Sequence, residues 1–294
     1  MKILIVSGFL GSGKTTFINR LVKKLDDVAI LENDYANADI DSELLKDSGK
    51  EIVSLEEGCI CCSKKTDFAT SVLTISNSLD PQYLIVEPTG VGYLSKVINN
   101  IKSIAYDKIE ILSPITIVDY FTIDETLRDY EDLFVDQIKN AGHILISKTE
   151  DVKEADIEAA REKLARYTSA EIYPKHYDGF SAEEWDSLIS SYDLGHLDEK
   201  DLKELHVHSH VYEDVSFPDF QALGTVFNAI CSDRFGKVLR GKGFVKVGDK
   251  LVKIDIVQGR FSVEKQDSPV DKLRLVFIGN HLDEEAFDIL FKGK

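Results

Sequence analysis

Gly8, Gly13, Lys14 and Thr15 fill every fixed position of the spacing Gly-x4-Gly-Lys-Ser/Thr within ILIVSGFLGSGKTTF, residues 3–17. An apolar strand run precedes this loop and an amphipathic helical pattern follows it, the context in which such a loop turns successive backbone N–H groups around phosphate oxygens. Side chains at Gly11 or Gly13 would obstruct that cradle. The expected chemistry is triphosphate binding: Lys14 reaches the β- and γ-phosphates, and the Thr15 hydroxyl holds Mg²⁺. A glycine turn with a chance lysine would leave the placement between strand and helix unexplained.

Carboxylates follow at two places. The segment ENDYANADID, residues 32–41, is turn-prone and acidic, and Glu32, Asp34, Asp39 and Asp41 are candidates for reaching Mg²⁺ and the γ-phosphate. The apolar run Tyr83 to Val86 ends in Glu87-Pro88-Thr89-Gly90. An acid at the end of a strand facing the phosphate loop can hold Mg²⁺ through water or orient the attacking water, and Gly90 frees the segment to move. Downstream, Ser147-Lys148-Thr149-Glu150 leaves another apolar strand. Lys148 and Glu150 have the types and spacing of a guanine-reading loop, the carboxylate accepting from the N1 and N2 donors; a plain strand-to-helix connection is the alternative.

Soft ligands are concentrated as well. Cys59, Cys61 and Cys62 lie within four residues, and the remaining cysteine is Cys231. A Cys-x-Cys pair can chelate a Zn²⁺-like ion, with Cys62 or a carboxylate as third donor; a buried or redox-active thiol cluster is the competing reading. His206, His208 and His210 alternate, so they share one face of a strand. Ligands two residues apart on a strand are nearly 7 Å apart, so an exposed strand face and a second metal or transfer site both stay open.

Positioning these groups requires alternating strands and helices. Strand runs at Ile3 to Val6, Val28 to Leu31, Glu51 to Leu55, Tyr83 to Val86, Ile109 to Val118, His143 to Ile146 and Glu171 to Pro174 are separated by helical patterns. These include Thr15 to Leu25, Lys64 to Leu79, Tyr130 to Asn140, Ala155 to Tyr167 and Ala182 to Ser191. The alternation predicts an α/β, doubly wound, mostly parallel sheet over residues 1–192. Residues 193–204 are polar and charged and read as a linker. Residues 205–294 then change character: a helix at Phe217 to Cys231, strands with turns at Gly248 and Gly259, a strand at Leu273 to Ile278 and a helix from Asp283 form a smaller α+β domain.

The 294 residues carry a net charge of −17, and residues 205–294 hold 13 basic and 13 acidic side chains, so the whole excess falls on the first 204. Such a surface repels nucleic acid and favours cations. No apolar run approaches the roughly 20 residues of a membrane span, and the chain opens almost directly on its first strand, which together read as a cytoplasmic protein.

GFLGSGKTT, ENDYANADID, GCICC, EPTG and SKTE, in this order, closely resemble the CobW-type GTPases, relatives of the hydrogenase and urease maturation factors HypB and UreG. LRGKGFVKV and LVFIGNHLD are similar to that family's second domain. The resemblance implies a GTP-hydrolysing metallochaperone that binds zinc, cobalt or a similar divalent ion and couples nucleotide state to delivery. Its partners would be GTP and GDP and a client metalloprotein or cofactor-assembly protein, with a homodimer among the assemblies left open. By position, Ser12, Gly13, Lys14, Thr15 and Thr16 would hold nucleotide and Mg²⁺, Glu87 the acidic switch position, Lys148 and Glu150 the base, and Glu32, Cys59, Cys61 and Cys62 the metal. Two departures are visible: Asn37 stands where the family's ENEFGE has its second glutamate, and Ser147 and Glu150 replace the usual Asn or Thr and Asp. No glutamine or arginine finger is evident, so intrinsic hydrolysis should be slow. A P-loop small-molecule kinase and a zinc-buffering protein with a structural nucleotide are the alternative functions.

Overall fold

The computed structural model describes residues 1–32, 51–54, 65–104, 109–191, 207–257, 259–267, 269–270 and 272–292. They fall in two compact units, Met1–Glu204 and Leu205–Lys294. The expected linker, 193–204, lies outside the described residues.

The first unit is built on a parallel sheet. Its strands are β1 (Lys2–Ser7), β2 (Val28–Glu32), β3 (Glu51–Ser54), β4 (Tyr83–Glu87), β5 (Glu110–Ile111), β6 (Ile115–Asp119), β7 (His143–Ser147) and β8 (Glu171–Tyr173). The order is β3-β2-β4-β1-β6-β7-β8, with β5 paired to the start of β1. Central strands are apolar on both faces, as a sheet covered twice requires. Along β1 the pleat sends Ile3 and Ile5 into one core and Leu4 and Val6 into the other. The first core includes Val97, Ile98 and Ile101 of the helix Leu94–Lys102 and Phe134 and Ile138 of the helix Glu131–Lys139. The second includes Phe17, Ile18 and Leu21 of the helix Lys14–Leu21. Parallel strands put their C-terminal ends, and hence the loops that follow β1, β4 and β7, at one edge.

Three elements of the first unit differ from the sequence reading. The run Ile109 to Val118 is two strands, because Pro114 has no N–H to give the ladder. The Leu112 amide still bonds the Ile3 carbonyl at 2.8 Å, but the next amide, Ser113, turns to the Ser190 carbonyl at 2.9 Å. In addition, a helix at Ile123–Asp129 precedes the expected one, and the helix at Ala182–Ser187 is shorter than expected.

Among the described residues, the second unit is a largely antiparallel sheet with two helices. Its strands are β9 (His208–Glu213), β10 (Ser216–Phe217), β11 (Lys237–Val247), β12 (Lys250–Val257), β13 (Arg260–Lys265) and β14 (Arg274–Asn280), ordered β13-β12-β11-β14-β9 with β10 parallel to β11. Phe227 of the helix Phe220–Ile230 and Phe287 of the helix Glu284–Lys292 pack on Val245, Ile254 and Phe277. Asp219 and Asp283 cap those helices, accepting from Ala222 and Ala286 amides at 2.8 and 3.0 Å.

Candidate nucleotide and metal site

The glycine loop joins β1 to the helix Lys14–Leu21 at the C-terminal edge of the first sheet. Gly13 stands at the helix N-cap with φ +96°, a left-handed value that glycine takes without strain. No side chain caps this helix, and its first turn contains no acid. The first-turn N–H groups and the positive end of the helix are thus left to an anion. The Lys14 ammonium lies back over the loop, donating to the Gly8 carbonyl at 3.0 Å and the Phe9 carbonyl at 3.3 Å. The Ser12 hydroxyl is buried and has no hydrogen-bond partner among the described residues. Thr16 is exposed on the first turn.

Glu87, the last residue of β4, meets the loop directly. The Thr15 hydroxyl donates to Glu87 Oε1 at 3.2 Å. A hydroxyl and a carboxylate so placed are both hard oxygen donors of the kind Mg²⁺ selects, and with the uncapped helix and the glycine cradle they fit a Mg²⁺-bound nucleotide. Behind Glu87 the chain is held close to the loop: a Cβ on Gly90 would stand 2.6 Å from the Leu10 nitrogen. Thr89 Oγ1, also buried, has no hydrogen-bond partner among the described residues.

Two residues absent from the sequence reading hold this segment. Gln137, fully buried, donates both amide hydrogens, to the Gly90 carbonyl at 3.2 Å and the Gly92 carbonyl at 3.0 Å. Asp136 accepts the Ser95 amide at 3.1 Å and so caps the helix Leu94–Lys102 from outside, where its own N-cap residue, Tyr93, offers no side-chain acceptor. Burial raises the Asp136 carboxyl above its ordinary range, against the lowering effect of the hydrogen bond from Ser95. A glutamine in the apolar stripe of Leu133, Phe134 and Ile138 was the available signal.

On the other side of the loop, β7 ends at Ser147, whose hydroxyl donates to the Ser12 carbonyl at 2.7 Å, with the Val118 carbonyl also within 3.2 Å. Lys148 adopts φ +60°, and its ammonium meets Asp119 Oδ2 at 2.6 Å. Asp119 is buried at the end of β6 and also accepts the Phe121 amide at 3.0 Å. The rule that singled out Glu87, an acid closing an apolar strand, applies equally to Asp119. Glu150 is exposed, and its carboxylate lies 3.3 Å from His176 Nε2.

For the metal set, Glu32 is buried at the end of β2, in register with Glu87 on β4 and with Ser54 on β3. Asp34, Asp39, Asp41, Cys59, Cys61, Cys62 and His206 lie outside the described residues. Among those described, no group of three or more His, Cys, Asp or Glu side chains is arranged for a metal ion. His208 and His210 lie on β9 in the second unit, where His210 stacks on Phe287 with ring centroids 6.1 Å apart. Cys231 is half-buried in that unit, and burial pushes its thiol up to about 11, unlike a ligating thiolate. No helix among the described residues is long and apolar enough to cross a membrane.

Residues 2–173 match the family model for the CobW/HypB/UreG nucleotide-binding domain. The chain belongs to the CobW/HypB/UreG family. Residues 207–293 match the cobalamin synthesis protein CobW C-terminal domain, so family members of this two-part kind account for both units. The chain is 26% identical to the zinc chaperone YjiA of Escherichia coli, over 99% of this chain and 98% of that protein. It is 24% identical to zinc-regulated GTPase metalloprotein activator 1 of Dictyostelium discoideum, over 83% of this chain and 62% of that protein. Among solved structures, the Zn(II)-bound YjiA GTPase of Escherichia coli is similar over 100% of this chain and 98% of that one, at 20% identity and a TM-score of 0.48.

Proposed function

We propose that this chain, a GTPase of the CobW/HypB/UreG family, is a zinc metallochaperone that binds its cargo ion through Cys59, Cys61 and Cys62 with Glu32 and couples nucleotide state to delivery. The observation that carries the reading is the register of β2 with β4. Glu32 and Glu87 are paired neighbours on adjacent parallel strands, so the carboxylate assigned to the cargo and the one assigned to the phosphate end share a strand boundary. Ser54 flanks Glu32 from the other side, five residues before Cys59.

Lys14 would exchange the Gly8 and Phe9 carbonyls for β- and γ-phosphate oxygens, and Thr15 with Glu87 would hold Mg²⁺. The ion held there would supply positive charge that neutralises the phosphates. Glu87 then has two tasks, keeping that ion and ordering the water that attacks. Loss of the γ-phosphate releases the Glu87–Gly90 segment, and the change passes to Glu32 across one strand pair. Only a difference in zinc affinity between the two states lets hydrolysis drive release. Soft thiolates with one carboxylate suit zinc, and the relatives named as zinc chaperones or as zinc-regulated favour it over cobalt. The recipient would be a metalloprotein or cofactor-assembly protein. Hydrolysis would be slow until a partner or the ion completes the site.

Zinc titration of Cys61→Ala beside the unaltered chain tests this. Zinc affinity is expected to fall by roughly ten-fold or more while GTP affinity is unchanged. Equal zinc affinity in the two proteins would remove the thiol cluster from the function.

A further inference from the structure

We propose that His176 is a positioning residue for guanine specificity, holding the Glu150 carboxylate in place to accept from the base. The inference rests on the reading of Glu150 as the base-reading carboxylate and adds the residue that makes a glutamate serviceable there. Glu150 has one more rotatable bond than the aspartate usual at this position, and it is 61% exposed. Left alone, such a side chain must be ordered each time the base binds, at a cost of about two- to twelve-fold in affinity.

His176 removes that freedom. Its Nδ1 accepts the Asp178 amide at 3.3 Å, which leaves the ring hydrogen on Nε2, and Nε2 stands 3.3 Å from Glu150 Oε1. Asp178 Oδ2 stands 3.6 Å from the same Nδ1, outside hydrogen-bond reach, and Asp178 Oδ1 is taken by Arg20 Nε at 3.1 Å. One donor on Oε1 leaves Oε2 and the second lone pair of Oε1 for the two donors of guanine.

The imidazole is itself firmly placed. It lies against the Tyr177 ring, tilted by 34° with centroids 4.0 Å apart, and buried Tyr177 packs edge-on against Phe17 at 5.3 Å. Phe17 belongs to the helix that begins at Lys14. The loop after β8 is therefore anchored to the phosphate-binding helix, and β8 pairs with β7, which leads into the loop carrying Glu150. Phosphate end and base end are tied through the Phe17–Tyr177 contact and the Arg20–Asp178 pair.

GTP and ITP affinities, with kcat for each, would be measured for the unaltered chain, Glu150→Ala, His176→Ala and His176→Gln. ITP lacks the N2 donor, so the GTP-to-ITP ratio reports base reading. His176→Ala should weaken GTP about three- to ten-fold, narrow the ratio and leave kcat in place. His176→Gln, which restores a donor, should recover the ratio. His176→Met, of similar reach without a donor, replaces the alanine variant if that one does not fold. If Glu150→Ala leaves the ratio intact, the reading of Glu150 is wrong. If Glu150→Ala collapses the ratio while the donor-free His176 variants keep it, the inference about His176 alone is overturned.

Discussion

Replacing Gln137 by Met and by Glu separates a clamp from a filler. The glutamine gives two buried hydrogen bonds to the Gly90 and Gly92 carbonyls, while its own Oε1 has no partner among the described residues. Each bond contributes about 0.5–1.5 kcal/mol, and an unsatisfied buried acceptor costs about 1–3 kcal/mol. Gln137→Met relieves that acceptor but leaves the buried Gly90 and Gly92 carbonyls without their donors, so it should loosen the segment by about 1–3 kcal/mol. Gln137→Glu sets carboxylate oxygens against two carbonyls in a buried position, and should cost about 3 kcal/mol or more, or take up a proton to avoid it. Hydrogen exchange at the Gly92 and Ser95 amides, bonded to Thr89 and Asp136, reads the local opening. Protection should fall about five- to a hundred-fold for Met and further still for Glu. Equal protection in all three proteins would refute the clamp.

Two further outcomes follow from the packing. Gly90→Ala puts a Cβ 2.6 Å from Leu10 N and 2.8 Å from Leu10 Cα, both backbone atoms, so the segment behind Glu87 must shift; GTP affinity should fall about five- to a hundred-fold, and wild-type affinity would contradict the contact. His143 opens β7 in a buried site, where desolvation holds its pKa below 6.5 against the pull of Glu171. The unfolded chain takes up a proton near pH 6.5 and the folded one only at lower pH, so this contribution is full above pH 6.5 and is lost as pH falls below it. The urea midpoint measured at pH 7.5 and 5.5 should therefore drop less in His143→Leu than in the unaltered chain, and an identical drop would count against this assignment.

The parts of this molecule that follow local rules were readable from sequence. The glycine loop is a spacing flanked by two periodicities, and Glu87 closes an apolar strand, so neither needs knowledge of distant residues. The break at Pro114 was also local, since an imino nitrogen inside an apolar run cannot feed the ladder, but the hydrophobic pattern of Ile109 to Val118 outweighed it. Gln137, Asp136 and His176 act on partners between 26 and 47 residues away, and no period or spacing encodes such contacts. What does betray Gln137 is a polar side chain on a buried helical stripe. Asp119 needed only the Glu87 rule applied twice; its contact with Lys148 could not be read because it joins the ends of two strands 29 positions apart.

The coupling of cargo to nucleotide is tested most directly by zinc affinity measured three times: with Mg²⁺ and a non-hydrolysable GTP analogue, with GDP, and without nucleotide. The register of Glu32 beside Glu87 predicts that zinc affinity differs between the triphosphate and diphosphate forms by about five-fold or more, and that zinc shifts the ratio of analogue to GDP affinity by the same factor. The same zinc affinity in all three states would contradict it.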